Sequence, residues 1–583
     1  MFSNSILFLT TTLFIARAAA TNPFAQYANE FVDPDYIASR VGQFPSNLGG
    51  AQATVFAWAD ELNSHGPWSA CACPVPRVLQ LILCILGVTF KPVVAPSGDK
   101  HDYMSWAPYQ WPDCSKVRNR TELTAAQIRK TCPYVNRDGE VNPERTIPND
   151  FQSFFNLSDA ILYNTLASTF SSDTADEYAG NAVEFIKTWF LDKDTAMNPN
   201  LEYAQMHLGP TGQEGACLSS ILPSVHLHLR VAPSPASCTD LRMMVKVVSG
   251  VLILRKTKAS AWTDDLDSAF VAWCKKYISW LESAPSAKEA ASADNNHGTY
   301  AAGQMMALKI VVGDTDGATK VGRAFFGGAY NGMIAANGDQ PLEATRTRPY
   351  HYRNFNIAGM ITAARLLKYA DPSSNVWNTS SMASGATIQA ALDFTMGVDP
   401  SKDQPDGYDS LAQVTAEIYP NVAAVASTYG DPDGKYLKFL KESGFPYADD
   451  PFFVWEQPLA GGKGSAGTAA TTSAKGVVSA SKAAAASATA SGPGGASGSG
   501  SSSSGAAALP PTATGSGSGA NGPSNNAGAN AGAQAQSAAD TTPTGVPIGG
   551  LNGAGNAPRP RSAALLLAIG LGLGLGLPLL LNV

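Results

Sequence analysis

"WTDDLDSAFVAWCKKYISWLES", residues 262–283, repeats its large apolar side chains at Leu266, Phe270, Trp273, Tyr277 and then Trp280 or Leu281. Intervals of three and four residues place them on one face of a helix, whereas a half-buried strand would show them at every second position. Thr263 stands where an N-cap belongs, and acidic residues follow in the first turn, where the helix dipole favours negative charge. "DTADEYAGNAVEFIKTWFLD" (173–192) repeats the pattern. Its Thr174 and Glu177 are spaced as a capping box, and Tyr178, Ala182, Phe185, Trp189 and Phe190 share one broad face. "NIAGMITAARLLKYADP" (356–372) is helical up to its proline. Strand-like alternation is scarce, so the fold class is all-α. Long, polar, proline-containing loops between such helices suggest helical hairpins in a bundle, a solenoid or a closed α/α ring. Periodicity does not choose among these.

The two ends of the chain have other roles. "MFSNSILFLTTTLFIARAAA" has an apolar run from Ile6 to Ile15 followed by Ala18-Ala19-Ala20. The run is too short to span a bilayer and has the form of a secretory signal peptide, residues 1–20. At the other end, "SAALLLAIGLGLGLGLPLLLNV" follows a polar spacer and the small trio Asn552-Gly553-Ala554. That order is the signal for a GPI anchor, with Asn552 as the expected attachment residue and 553–583 as the removed propeptide. Between them, residues 461–552 are mostly Ser, Gly, Ala, Thr and Pro, with no aromatic residue after Trp455. Such a stretch buries too little apolar surface to offset its ordering entropy and is expected to be a disordered stalk. The working domain is therefore residues 21–460, expected at the cell surface, GPI-anchored to the plasma membrane or cell wall, as a monomer.

A formal net charge of −7 disfavours a nucleic-acid partner, which would call for a basic face. It leaves room for a polyanionic sugar, which needs only a local basic patch. Asn119, Asn156 and Asn378 head N-glycosylation sequons, in keeping with a secretory route. Eight cysteines in so long a chain do not make a disulfide scaffold. Cys114 and Cys132 flank one compact segment and are the expected disulfide.

Five polar clusters stand out: "GDKHDYMSWAPYQWPD" (98–113), "RDGEVNPER" (137–145), "NPNLEYAQMHLGP" (198–210), "NNHGTY" (295–300) and "PLEATRTRPYHYRNFN" (341–356). None is a nucleotide loop, a nucleophile elbow or a zinc helix, and no metal or cofactor is expected. Together they suit the cleavage of a polyuronate by β-elimination. The proton beside an ionised sugar carboxylate is very weakly acidic, so donors such as Asn, His or Arg must first neutralise that carboxylate. A base then takes the proton and an acid serves the leaving oxygen. A tyrosine beside arginine suits either task, since nearby positive charge lowers its pKa. Trp106, Tyr109 and Trp111 would offer sugar rings flat platforms.

These clusters, in this order, resemble the alginate lyase superfamily of polysaccharide lyases, especially its secreted fungal members, over most of residues 45–440. The resemblance implies an incomplete α/α toroid with a deep cleft and metal-independent β-elimination of a uronic-acid polymer, alginate or one like glucuronan. It also implies a catalytic group of an Asn-His pair, an Arg and a Tyr. The pair falls on Asn296 and His297, and the Tyr of the Tyr-x-Asn-aromatic pattern falls on Tyr352. The Arg falls on Arg346 or Arg348, and Arg346 is favoured. Asn296 and Arg346 would neutralise the carboxylate, His297 would assist or act as base for one sugar epimer, and Tyr352 would protonate the leaving oxygen. Lys100, His101 and Tyr103 would form the opposite wall of the cleft, with Trp106, Asn295, Arg348 and His351 also touching substrate.

Two apolar, cysteine-bracketed segments near 70–94 and 216–238 fit neither the helical pattern nor the family. They are either genuine loops or translated intron sequence. The second contains His226 and His228, whose His-x-His is accordingly discounted as a metal site. "DPSKDQPDG" (399–407) lacks the ligand spacing of a calcium loop and reads as a turn. Two other functions remain open: a glycoside hydrolase on a similar ring, using carboxylates such as Glu140, Glu202 or Glu343, and a catalytically inactive sugar-binding protein.

Overall fold

In a computed structural model, residues 31–70, 93–210, 239–381, 384–403, 411–457 and 459 are described. The segments expected to be a signal peptide, a stalk and a GPI signal with Asn552, and the cores of both cysteine-bracketed insertions, with His226 and His228, lie outside the described residues.

Among the described residues, ten of the helices build the two layers of the body: α1 (Gly49–His65), α2 (Asp150–Phe170), α3 (Ala175–Ile186), α4 (Met244–Thr257), α5 (Asp264–Ser283), α6 (Asn296–Val311), α7 (Thr315–Gly327), α8 (Pro349–Ala370), α9 (Ile388–Thr395) and α10 (Tyr419–Tyr429). Packing runs α1–α2–α4–α6–α8–α10, and α3, α5, α7 and α9 lie outside this row. It is the expected α/α toroid. Its last gap, from α10 back to α1, is bridged by the short 3-10 turn Pro451–Val454 instead of a helix.

The two layers differ in burial, as their sequences dictate. Inner α4 is buried at every position from Met244 to Leu254, the signature of a helix surrounded by others. There Gly250 permits close approach, since a Cβ would lie 2.8 Å from Ile161 Cγ2. Outer α5 buries Phe270, Trp273, Tyr277 and Leu281 on one face, and the Thr263 hydroxyl caps it by accepting from Leu266 N. The capping box at α3 does not form. Thr174 has φ −119° and ψ 4°, away from the extended geometry a cap requires, and its buried Oγ1 has no partner. Beyond α3 the chain continues through a π-helical turn, Lys187–Leu191.

Among the described residues, four short strands accompany the helices. β1 (Met104–Trp106) pairs in parallel with β4 (Tyr203–Met206), and β2 (Gln110–Pro112) pairs antiparallel with β3 (Tyr134–Asn136). Cys114 and Cys132 form the expected disulfide just beyond the β2–β3 ladder. Among the described residues no helix is long and apolar enough to cross a membrane.

Candidate active site

A cavity of about 790 Å³ opens between the strands and the ends of the inner helices. Asn296, His297, Arg346, His351 and Tyr352 line it from the helical side, and Tyr109, Asn136, Asp138 and Arg145 from the strand side.

Helix starts deliver the first group. Asn295 is the N-cap of α6, its Oδ1 accepting from His297 N at 3.0 Å, which places Asn296 and His297 in the first turn. Buried Glu343 accepts from Asn296 N and from Asn296 Nδ2, both at 2.8 Å. This clamp fixes the amide and leaves it a second N–H for a ligand. His297 lines the cavity, and burial, with help from the Arg346 charge, lowers its pKa to about 4. Its imidazole is therefore neutral at ordinary pH and free to take a proton.

Arg346, just before α8, donates from Nη2 to Tyr352 Oη at 2.7 Å and lies over the Tyr352 ring, with Cζ 3.7 Å from the centroid. Tyr109 Oη is 2.7 Å from Tyr352 Oη, and either hydroxyl can be the donor. Arg346 does work to lower the Tyr352 pKa, as expected, but the net shift is upward. Burial and neighbouring Tyr109 raise it, and outweigh Arg346. Arg346 is itself paired with Asp138 (Nη2–Oδ1 2.6 Å, Nε–Oδ2 3.1 Å). Tyr352 is thus a stable O–H donor, suited to an acid's task.

The strand side reaches this group through the loop after β3. Arg137 N donates to Tyr109 O, and Asn142 N to Pro108 O, folding the loop back along β2. Gly139 has φ +82°, and a Cβ there would fall 2.2 Å from Thr347 Oγ1. Only glycine lets the loop pass this close, which brings Asp138 onto Arg346 and Thr347. Burial works against ionisation of Asp138, but hydrogen bonds from Arg346 and Thr347 hold its pKa below the usual carboxylate value.

The remaining sequence candidates are placed elsewhere. Lys100, His101, Tyr103, Trp106, Asn295 and Arg348 do not line the cavity. His101 Nδ1 lies 2.6 Å from Ala196 O. Tyr103 is fully buried and donates to Asp240 Oδ2 at 3.0 Å. Trp106, the last residue of β1, is buried in a small cluster with Met104 and with Met206 of β4. Trp111 lies under Arg137 and donates to Glu140 O. Arg348 is buried in the approach to α8. His351 does reach the cavity, held by Glu417 at 2.9 Å and by Asp403, which accepts from His351 N. Asp403 belongs to the 399–407 segment, whose described part is a 3-10 turn. Sequence reasoning missed Asp138, Arg145, His207 and Arg242 as site residues, although the first three stand within the quoted polar clusters; Arg242 lies outside all five. Asn119 and Asn378 are exposed, whereas Asn156 is part-buried within α2 and accepts from Gln152. Among the described residues no group of three or more His, Cys, Asp or Glu could hold a metal ion.

The model of the family described as alginate lyase matches residues 87–402. The crystal structure of an alginate lyase from Bacteroides ovatus superposes with a TM-score of 0.57 at 24% identity, covering 73% of this chain and 97% of its own. Alginate lyase A1-III from a Sphingomonas species aligns with a TM-score of 0.37 at 12% identity, over 71% of this chain and 93% of its own. No curated protein matches the sequence. With the family model spanning more than half of its length, the chain belongs to the alginate lyase family and is a polysaccharide lyase.

Proposed function

We propose that the chain cleaves a uronic-acid polymer, alginate or a glucuronan-like chain, by β-elimination at the cell surface, where a GPI anchor holds residues 21–460 on the 461–552 stalk. The observation that carries the catalytic reading is the connected set Asp138–Arg346–Tyr352–Tyr109 beside a neutral His297. Asn296, with its remaining N–H, and Arg346 neutralise the sugar carboxylate and so acidify the adjacent C–H. His297 Nε2 or Nδ1 takes that proton for one epimer. Electrons then move into the new C=C bond as the glycosidic C–O bond breaks, and Tyr352 gives its proton to the departing oxygen. Removing a donor of this kind lowers turnover by about 10²–10³-fold.

Hydrolysis finds less support. The carboxylates lining the cavity among the described residues, Asp138 and Asp240, are taken up by Arg346 and by Tyr103, Ser105 and Gln205. Glu140 pairs with Arg137 on the surface, Glu202 accepts from Trp280, and Glu343 holds Asn296.

The test uses protein secreted from a eukaryotic host, offered mannuronate-rich alginate, guluronate-rich alginate and glucuronan. Ultraviolet absorbance of an unsaturated uronate end is expected on at least one polymer. New reducing ends without that absorbance would mean hydrolysis and would overturn the reading. Release of the cell-bound protein by a phosphatidylinositol-specific phospholipase tests the anchor.

A further inference from the structure

The cavity contains two kinds of arginine. Arg346 is paired with a carboxylate, whereas Arg242 and Arg145 form no ion pair with any carboxylate among the described residues. Arg242 is held instead by aromatic faces, its Cζ lying 5.2 Å from the Phe355 centroid, 5.7 Å from Tyr300 and 6.0 Å from Phe151. Its Nε is buried without a partner. Arg145 lies over the same Phe151 ring at 4.5 Å. A part-buried cation seated on π faces, with a buried Nε that has no protein partner, keeps its donors for something absent from the protein. The nearby carboxylate, Asp240, accepts from Tyr103, Ser105 and Gln205.

The location says what that partner is. Tyr300 follows His297 by three positions on α6, and Phe355 follows Tyr352 by three positions on α8, so each is one helical turn along from a catalytic residue. Arg242 rests on both rings. It therefore sits beside the elimination group, one turn further along both helices, and not within it.

We propose that Arg242, flanked by Arg145, binds the carboxylate of the sugar next to the one being cleaved. This deepens the polyuronate reading and rests on it. Two carboxylate sites in succession select a polymer in which contiguous sugars are all uronates, against one in which uronates alternate with neutral or amino sugars. Arg242 is a binding residue in this scheme. Its contact is the same in ground and transition states, so its loss affects KM and spares kcat.

The experiment measures kcat and KM on a homopolymeric uronate for wild type, Arg242→Gln, Arg242→Lys and Arg145→Gln, with thermal melts as the folding control. Calorimetry on a Tyr352→Phe background, with and without Arg242→Gln, gives the affinity for a saturated uronate tetrasaccharide. Arg242→Gln is expected to raise KM and Kd by about 10- to 100-fold with kcat nearly unchanged. Arg242→Lys should recover part of the loss and Arg145→Gln should show a smaller one. Reducing the carboxyls of alternate sugars in the wild-type substrate should cost as much as the Gln substitution. A folded Arg242→Gln protein with unchanged KM, or with kcat lost and KM kept, overturns the proposal while elimination stands. If wild type forms no unsaturated product but tetrasaccharide binding still depends on Arg242, the elimination reading fails and the carboxylate site survives.

Discussion

The helical wall of the cleft carries Asn296, His297 and Tyr352 on α6 and α8, long helices that pack directly on each other, whereas the facing wall hangs on strands three residues long. The first wall owes its geometry to burial. Asn296, Tyr352 and Glu343 are almost without solvent exposure, and their positions follow from the packing of the core behind them. The second wall has little core of its own, and the Cys114–Cys132 bond and loop hydrogen bonds take its place. The two meet at Arg346 and Tyr352, through Asp138 and Tyr109. The difference separates the groups proposed to perform the chemistry from groups that hold them in register, and it sets a gradient of expected effects.

The largest effect should come from the helical wall. Tyr352→Phe removes the proposed proton donor and is expected to lower kcat by about 10²–10⁴-fold with the thermal midpoint preserved, read by the absorbance assay. Asp138→Asn keeps the fold but loosens the fork on Arg346, and a loss of about 10–100-fold in kcat/KM is expected. A loss as large as that of Tyr352→Phe would break the comparison, since the strand wall would then be taking part in the chemistry. Replacing both Cys114 and Cys132 by Ser should reduce stability by about 3 kcal/mol in urea titrations, given the short loop the bond closes. Turnover at low temperature should fall only severalfold. Smaller still is the acid limb of the pH profile. In its proposed role His297 acts as its neutral form, so activity is expected to be lost as pH falls through its pKa of about 4, and not near the ordinary 6.5. A kcat/KM plateau that bends near 6.5 would mean that His297 is solvated in solution or is not the base.

The helical wall was legible because its signals are local. Spacings of three and four residues, the Thr263 cap and the Pro372 stop fix α5 and α8 within a few turns of sequence. "NNHGTY" and "TRTRPYHYRNFN" likewise carry their site residues within one short window. The strand wall was not legible, because its contacts join distant positions: Asp138 meets Arg346 across 208 residues. "DKHDYMSW" is one continuous motif, yet Tyr103, just before β1, is buried against Asp240, so motif membership does not imply exposure to the cavity. The Tyr352 pKa was misjudged for a similar reason. A neighbouring cation was visible in the sequence, but the Asp138 paired with it and the burial around both were not.

The parallel pairing of β1 with β4 also bears on the order in which the chain acquires structure. Met104 lies opposite Tyr203, while α2 and α3, which pack together, lie wholly between them in sequence. Ring closure over so long a span costs entropy before its contacts reward it, whereas adjacent helices need close only a short loop. Helical hairpins should therefore form early and the strand floor late. Pulse-labelled hydrogen exchange would show α2 amides protected before those of β1. An early helical scaffold of this kind exists in outline before it can hold a sugar, and the chain becomes an enzyme only at its last folding step.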